Sequence, residues 1–177
     1  PLDKSHYISA LEIENHEIIE RIPAEDFDVL EVRTPSENWE LFAGEENAEI
    51  SVGNKHCLVL KTDGTVWGWG DNSYGQVGDG STETVYEPRQ VVGLTNIRAI
   101  AAGYQYSLAL DWTGNVWAWG RNDYGQLGDD TTVDRPVPVK LVYLSSRDTI
   151  QSISAGYAHS VALGKSGNVW GWGYGEG

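Results

Sequence analysis

Two histidines, His56 and His159, occupy matched places in this sequence and are its first candidates for acid–base chemistry. A histidine can act as a general acid or base near neutral pH, but a catalytic pair needs different neighbours around each ring. Here the neighbours are nearly the same, because His-Cys-Leu-Val-Leu begins at one histidine and His-Ser-Val-Ala-Leu at the other. We therefore expect both rings to tie a loop to an adjacent structural unit by side-chain hydrogen bonds.

The residue spacing gives little support for a metal site or for any other kind of catalytic site. The acidic loops at 79–83 and 129–132 contain oxygen-bearing side chains, but they lack the glycine and distal glutamate of a calcium loop. A single cysteine, Cys57, lies in an apolar run, and no Ser-His-Asp set, carboxylate pair, Cys-x-x-Cys motif or phosphate-binding glycine loop can be assembled. The sequence predicts a protein that is not an enzyme and holds no metal or cofactor.

A sequence repeat positions these residues. The motif Val-Trp-(Gly/Ala)-Trp-Gly, here called the tryptophan motif, occurs at 66–70, 116–120 and 169–173. The copies are about 50 residues apart, a period typical of solenoids and propellers. One unit contains four short apolar runs separated by turn residues, and four antiparallel strands per unit are typical of a β-propeller blade. The expected fold is therefore all-β.

The repeat also sets the expected domain boundaries. Repeats extend over 38–177, with units that begin near residues 53, 103 and 156 and a truncated last unit, whereas 1–37 is expected to be an acidic connector or a pair of edge strands. Three units are too few to close a ring, because propellers typically have four to eight blades. We expect the remaining blades to come from a longer chain or from other subunits.

Strand alternation predicts how the blades stack. The two tryptophans of each motif point to one face of the sheet and the residue between them points to the other. Glycine or alanine at that middle position leaves the second face flat, so we expect the indoles of one blade to pack on the small residues of the next. The indoles concerned belong to Trp67, Trp69, Trp117, Trp119, Trp170 and Trp172.

A second motif precedes each tryptophan motif: Val52-Gly-Asn-Lys-His-Cys-Leu-Val-Leu60, Ala102-Gly-Tyr-Gln-Tyr-Ser-Leu-Ala-Leu110 and Ala155-Gly-Tyr-Ala-His-Ser-Val-Ala-Leu163. With the Asn-x-Tyr-Gly-Gln segments that follow the first two tryptophan motifs, these segments resemble the repeat of the regulator of chromosome condensation family. The resemblance covers about 38–177 and implies a seven-bladed propeller, of which this chain supplies about three blades. Tyr106 departs from the family pattern, which has histidine at that position.

Without catalytic residues, the loops are the expected site of function. The strand order places the connections at 53–55 and 71–85 on one face, here called the loop face, and those at 62–64 and 93–95 on the opposite turn face. We expect the loop face to bind a protein partner, since tyrosines concentrate in interface cores. The candidate contacts are Asn54, Lys55, Tyr74, Tyr104, Gln105, Tyr124 and Tyr157.

The candidates differ in strength. Tyr104 and Tyr157 are preferred, because Tyr74 and Tyr124 occupy equivalent motif positions and packing within their own loops explains them equally well. Trp112 has no counterpart in the other units and is a candidate contact on the turn face.

The net charge of −14 is concentrated before residue 50 and argues against nucleic acid as a partner, because negative charge repels phosphate. No apolar segment approaches the roughly 18 residues that membrane insertion requires. The resemblance leaves a second function open, guanine nucleotide exchange on a small GTPase, which some relatives perform by inserting a wedge. The only insertion between units, at 143–149, falls on the turn face, so no wedge is identified.

Overall fold

The computed structural model of this chain describes residues 13–14, 17–18 and 49–175. The chain divides into two compact units, Pro1–Trp39 and Glu40–Gly177. In the first unit, strands β1 (Ile13–Glu14) and β2 (Glu17–Ile18) form a short antiparallel pair. The remainder of the expected connector at 1–37 lies outside the described residues.

The described part of the second unit consists almost entirely of antiparallel strands joined in sequence order. These are β3 (Glu49–Val52), β4 (His56–Leu60), β5 (Val66–Gly70), β6 (Val85–Gln90), β7 (Ile97–Ala102), β8 (Tyr106–Asp111), β9 (Val116–Gly120), β10 (Arg135–Lys140), β11 (Ile150–Ala155), β12 (His159–Gly164) and β13 (Val169–Gly173). They form a first blade (β3–β6), a second blade (β7–β10) and a three-stranded third blade (β11–β13). This arrangement confirms the all-β, incomplete propeller arc predicted from the repeat.

The blades are offset by one strand from the units read in the sequence. The run 97–102 closes the unit that begins near residue 53, yet it forms β7 and pairs with β8 of the second blade. The three turns that precede β4, β8 and β12 therefore lie at matched positions in the three blades.

One helix, α1 (Val142–Arg147), interrupts the β architecture at the insertion between β10 and β11. Its Leu144 is buried and joins Leu141 in the core between the second and third blades. No helix is predicted there from the sequence, because six residues make fewer than two turns and display no helical periodicity. Among the described residues, no helix has the length and hydropathy required to cross a membrane.

The core lies between the blades. Leu58, Leu60 and Val66 of the first blade pack in one cluster with Ala109, Trp117 and Trp119 of the second. A matching cluster joins Leu108, Leu110, Val116 and Ala118 of the second blade to Ala162, Trp170 and Trp172 of the third. The indole-bearing face of each later blade thus lies against the opposite face of the blade before it.

Loop glycines take part in receiving these indoles, beside the middle residues of the tryptophan motifs. A Cβ at Gly68, in the middle of the first tryptophan motif, would meet Leu58 at 3.2 Å and Val77 at 3.3 Å, both within the same blade. The neighbouring indole lies over a loop glycine, since a Cβ at Gly78 would lie 2.6 Å from Trp119 Nε1. Gly128 has the same relation to Trp172 Cδ1, at 2.7 Å. The surface that receives an indole is therefore formed partly by the loop of the preceding blade, and in the second blade also by Ala118, which packs in one cluster with Trp170 and Trp172.

The two ends of the described arc expose apolar side chains. Ile50 and Val52 are 67% and 65% exposed on the first blade. On the third blade Val161, Leu163 and Val169 are exposed, although their counterparts in the second blade, among them Leu108 and Leu110, are fully buried.

Candidate protein-binding surface

Buried hydrogen bonds between blades fix the two long loops of the loop face. The carbonyl oxygen of Gln76 accepts from Ser107 Oγ at 2.8 Å and from Trp119 Nε1 at 2.9 Å. The carbonyl oxygen of Gln126 accepts in the same way from Ser160 Oγ and Trp172 Nε1, both at 2.9 Å. Because an unsatisfied buried carbonyl costs about 1–3 kcal/mol, each loop is stabilised by the blade that follows it.

His56 adds a further link between the first and second blades. Its Nε2 lies 2.9 Å from Ser107 Oγ, and the ring is 1% exposed. The single hydroxyl proton of Ser107 is donated to Gln76, so Nε2 of His56 carries the proton and donates to Ser107. Burial lowers the pKa of His56 to about 4, and the nearby carboxylate of Asp71 opposes this shift. The ring is therefore neutral near pH 7 and serves as a hydrogen-bond donor between blades.

Tyr106 occupies the place of His56 in the second blade and makes the equivalent link to the third. Its hydroxyl donates to the carbonyl oxygen of His159 and lies 3.0 Å from Ser160 Oγ. The backbone N–H of Gly156 also donates to this hydroxyl, at 3.1 Å. Burial raises the pKa of Tyr106, and the contacts of its hydroxyl with Ser160 and with the N–H of Gly156 only partly oppose this shift. His159 itself is exposed.

The turns that precede β4, β8 and β12 meet at the inner edge of the blades. The backbone N–H of Asn54 donates to the carbonyl of Tyr104 at 3.2 Å, and the N–H of Tyr104 donates to the carbonyl of Gly156 at 3.2 Å. Gly53 permits this close packing, because a Cβ there would lie 2.4 Å from the carbonyl oxygen of Gly103. The three turns are therefore held side by side by their own backbones.

These turns bring three of the expected contact residues together. Asn54, Tyr104 and Tyr157 line one open concavity with the ends of β3, β7 and β11. The rings of Tyr104 and Tyr157 are 4.2 Å apart between centroids and are tilted by 34°. Tyr157 is 61% exposed, and Lys55, which follows Asn54, is also exposed. The result is an accessible aromatic pair at the centre of the loop face.

The outer candidates contact the next blade. The guanidinium of Arg121 lies 5.0 Å from the ring of Tyr74, and it donates to Gln105 Oε1 and Asp123 Oδ2, both at 2.6 Å. In the following blade, Tyr124 meets the ring of Tyr174 edge-on at 5.2 Å. Tyr74 and Tyr124 thus pack across blades, an arrangement that neither interpretation from the sequence included, and Tyr124 remains 47% exposed.

The acidic loops use their carboxylates internally. Asp79 accepts from Arg89 at 2.8 Å and from the backbone N–H of Ser81 at 2.9 Å, and Asp129 accepts from Arg135 Nε at 2.8 Å and from Thr131 Oγ1 at 2.7 Å. Burial alone would raise the pKa of each aspartate, but these hydrogen bonds lower it. Both carboxylates stabilise their turns.

Trp112 lies apart from the tyrosines, in the β8–β9 turn on the turn face. It is 69% exposed, and the guanidinium of Arg98 lies 5.8 Å from its ring. Arg98 also donates to the carbonyls of Ile150 and Gln151, at 3.2 and 2.9 Å. Arg98 therefore contacts the ring of Trp112 on the turn face, opposite the face that carries Tyr104 and Tyr157.

Comparison with known proteins finds matches to the same repeats. One Regulator of chromosome condensation (RCC1) repeat profile matches residues 63–110 and 113–163, and a second matches 48–76 and 97–126. Human E3 ubiquitin-protein ligase HERC2 is 43% identical over 51 residues, which are 29% of this chain and 1% of that protein. Ultraviolet-B receptor UVR8 of Arabidopsis thaliana is 30% identical over 128 residues, which are 71% of this chain and 29% of the receptor. The chain spans only a part of these relatives.

Solved structures agree with the profiles. Prp20p from Saccharomyces cerevisiae superposes with a TM-score of 0.65 at 30% identity, over 82% of this chain and 39% of that one. Human WBSCR16 superposes with a TM-score of 0.67 at 23% identity, over 93% of this chain and 39% of that one, a likeness of fold alone. The first repeat profile matches more than half of the chain, and the chain belongs to the regulator of chromosome condensation (RCC1) repeat family.

Proposed function

We propose that this chain is a non-enzymatic protein-interaction scaffold that holds a protein partner against its loop face. The observation that carries the proposal is the tyrosine pair, Tyr104 and Tyr157, at the accessible centre of that face. Tyrosines supply a large contact area and lose little conformational entropy on binding. The hydrogen-bonded turns beneath them fix the backbone that carries the rings before a partner arrives, which lowers the cost of association.

The relatives support a role in protein binding. Prp20p, which is yeast RCC1, has binding properties to Gsp1p and histones and has been crystallised with Kap60. The non-enzymatic part of the proposal is supported by the local chemistry, because the neutral ring of His56 and the carboxylates of Asp79 and Asp129 take part in structural hydrogen bonds.

Affinity capture from a cell extract tests the proposal. We expect the double variant Tyr104→Ala, Tyr157→Ala to lose the proteins that the unmodified chain captures, because the variant lacks both aromatic anchors; truncating such an anchor costs about 2 kcal/mol or more. The matched control is Trp112→Ala, which removes an exposed aromatic side chain from the opposite face and should leave capture unchanged. Thermal unfolding of each variant establishes that folding is intact. Unaltered capture by the double variant would contradict the proposal.

Guanine nucleotide exchange on a small GTPase is the alternative function. The likeness to Prp20p, at 30% identity, is the reason to keep it as a candidate. The position of α1 opposes it, since the single insertion between units lies on the turn face, away from the tyrosine pair. Release of a fluorescent guanine nucleotide from candidate small GTPases tests this function. Release accelerated by the chain would replace the scaffold proposal, and an unchanged rate would leave the scaffold as the better account.

A further inference from the structure

The two faces of the propeller arc differ in charge. The loop-face connections carry seven acidic and two basic residues, within 53–55, 71–84, 103–105, 121–134 and 156–158. Two of the acids are paired with arginines of the adjoining strands, Arg89 and Arg135, so an excess of negative charge remains after these pairs are counted. The turn-face connections carry two acidic and three basic residues, within 61–65, 91–96, 112–115, 141–149 and 165–168. A surface with one dominant sign of charge attracts partners of the opposite sign and accelerates their association.

Part of the loop-face charge is accessible to a partner. Asp123 is used in an ion pair with Arg121 at 2.6 Å, and Asp79 and Asp129 are paired with arginines at 2.8 Å. Glu83 and Asp130, by contrast, are both exposed, in the connections between β5 and β6 and between β9 and β10. These two carboxylates can interact with a cationic partner without breaking a loop contact.

The tyrosine pair supplies a second kind of attraction for cations. The face of an aromatic ring attracts a lysine ammonium or an arginine guanidinium within about 6 Å of its centroid. The loop face already contains one such contact, between Arg121 and Tyr74 at 5.0 Å. At the centre of the face, Tyr157 exposes its ring beside Tyr104 in an open concavity.

We propose that the partner presents a lysine- or arginine-rich segment to the loop face. One cationic head group lies over the exposed ring of Tyr157, and others lie near Glu83 and Asp130. The inference rests on the proposed use of the loop face for protein binding and adds the chemistry of the partner.

Fluorescence anisotropy with two labelled peptides tests the inference. One peptide alternates lysine with serine, and in the other glutamate replaces each lysine. We expect the lysine peptide to bind and the glutamate peptide not to bind, and we expect binding to weaken as salt is added. The double variant Glu83→Lys, Asp130→Asn should bind the lysine peptide roughly tenfold more weakly, since exposed charge pairs each contribute a factor of about 1.4–5.

Matched variants separate the local effect from the negative charge of the whole chain. Lys165→Glu adds negative charge on the turn face and should change lysine-peptide affinity by no more than about twofold. Tyr157→Phe keeps the aromatic face and should retain binding, whereas Tyr157→Leu should weaken binding about two- to fivefold. The inference would be overturned if the affinity for the lysine peptide did not change in the Glu83→Lys, Asp130→Asn variant, or if Lys165→Glu changed it by as much.

The two proposals fail separately. Equal binding of the lysine and glutamate peptides contradicts only the chemistry inferred for the partner. Retained capture of cellular partners by the Tyr104 and Tyr157 alanine variant contradicts the proposed use of this face.

Discussion

His56 illustrates how one side chain serves the seam between two blades. Its ring is buried, donates to Ser107, and leaves Nδ1 without a hydrogen-bond partner among the described residues. Protonation would place a charge in this apolar seam, and desolvation explains why the pKa of His56 falls to about 4. The second blade avoids the cost by using the hydroxyl of Tyr106 at the same position.

The first prediction concerns the pH dependence of stability. The pKa of His56 is lower in the folded protein, at about 4, than its ordinary value of 6.5, so the unfolded chain binds this proton more tightly. The stability contributed by the neutral ring is fully present above pH 6.5 and is lost as the pH falls through 4. At 1.36 kcal/mol per pKa unit, the loss is roughly 3 kcal/mol.

Urea unfolding at pH 7 and pH 4 provides the measurement, with His56→Tyr as the matched variant because Tyr106 shows that tyrosine fits this position. The free energy of unfolding of the variant should fall by roughly 2–3 kcal/mol less than that of the unmodified chain over this range. If the free energies of unfolding of the two proteins fell by the same amount between pH 7 and pH 4, the pKa of His56 would not differ between the folded and unfolded states as described.

The side-chain roles were only partly predictable at this scale. Matched neighbours predicted hydrogen bonds between units for both histidines. The structure shows one for His56, with Ser107 as an acceptor that the sequence could not name, whereas His159 is exposed. Tyr106 was recognised only as a departure from the family pattern. Its role depends on the reach of the phenol to Ser160 in the next blade, and no pattern within one strand encodes that distance. The contact of Tyr74 with Arg121 was missed for the same reason.

At the scale of the element, the turn between the innermost strand of a blade and the next strand depends on the close approach of a glycine to an aromatic ring. Gly103 ends the run from β7 into β8, and its N–H donates to the carbonyl of Tyr106 at 2.8 Å. Its φ is not in the left-handed region. Glycine is therefore required by the adjacent ring of Tyr106 rather than by backbone conformation.

The second prediction compares two glycine substitutions. Gly103→Ala places a Cβ 2.1 Å from the fully buried ring of Tyr106, and overpacking of this kind costs about 1–3 kcal/mol. Gly171→Ala places a Cβ no nearer than 3.9 Å to Ser160 O, and the counterpart of Gly171 in the second blade is Ala118. Chemical denaturation should show destabilisation for the first substitution and little or none for the second. Equal effects would contradict this account of the turn.

The strands could be predicted well, but their grouping into blades could not. Alternating apolar residues and turn glycines identify nearly every strand, and the loop and turn faces follow from strand order. A period, however, has no intrinsic starting point, so the repeat alone does not say whether Ile97–Ala102 ends one sheet or begins the next. Likewise the position of Gly78 beneath Trp119 arises from the packing of two separate blades. Such contacts appear only once the sheets are assembled.

At the scale of the whole molecule, the arc has covered interiors and exposed ends. Leu110 and Leu163 occupy equivalent positions in successive blades, yet Leu110 is 0% exposed and Leu163 is 37% exposed. The same repeated residue therefore experiences two environments, according to whether another blade lies against it.

The third prediction uses this equivalence. Leu110→Ala should lower the free energy of unfolding by about 2–5 kcal/mol, because it leaves a cavity between the second and third blades. Leu163→Ala should cost about 1–2 kcal/mol, because its side chain loses less buried area and leaves no enclosed cavity. Urea unfolding curves of both variants provide the comparison. A similar large cost for both leucines would show that a further blade or a second copy covers Leu163.

The repeated hydrogen bonds to glutamine carbonyls carry a consequence for synthesis. Gln76 obtains its indole donor from a tryptophan 43 residues later, and Gln126 from one 46 residues later. On a ribosome, each loop therefore emerges before the side chains that complete it. The second sheet completes the loop of the first and the third sheet completes the loop of the second, so an interrupted translation product would keep its last loop open to solvent.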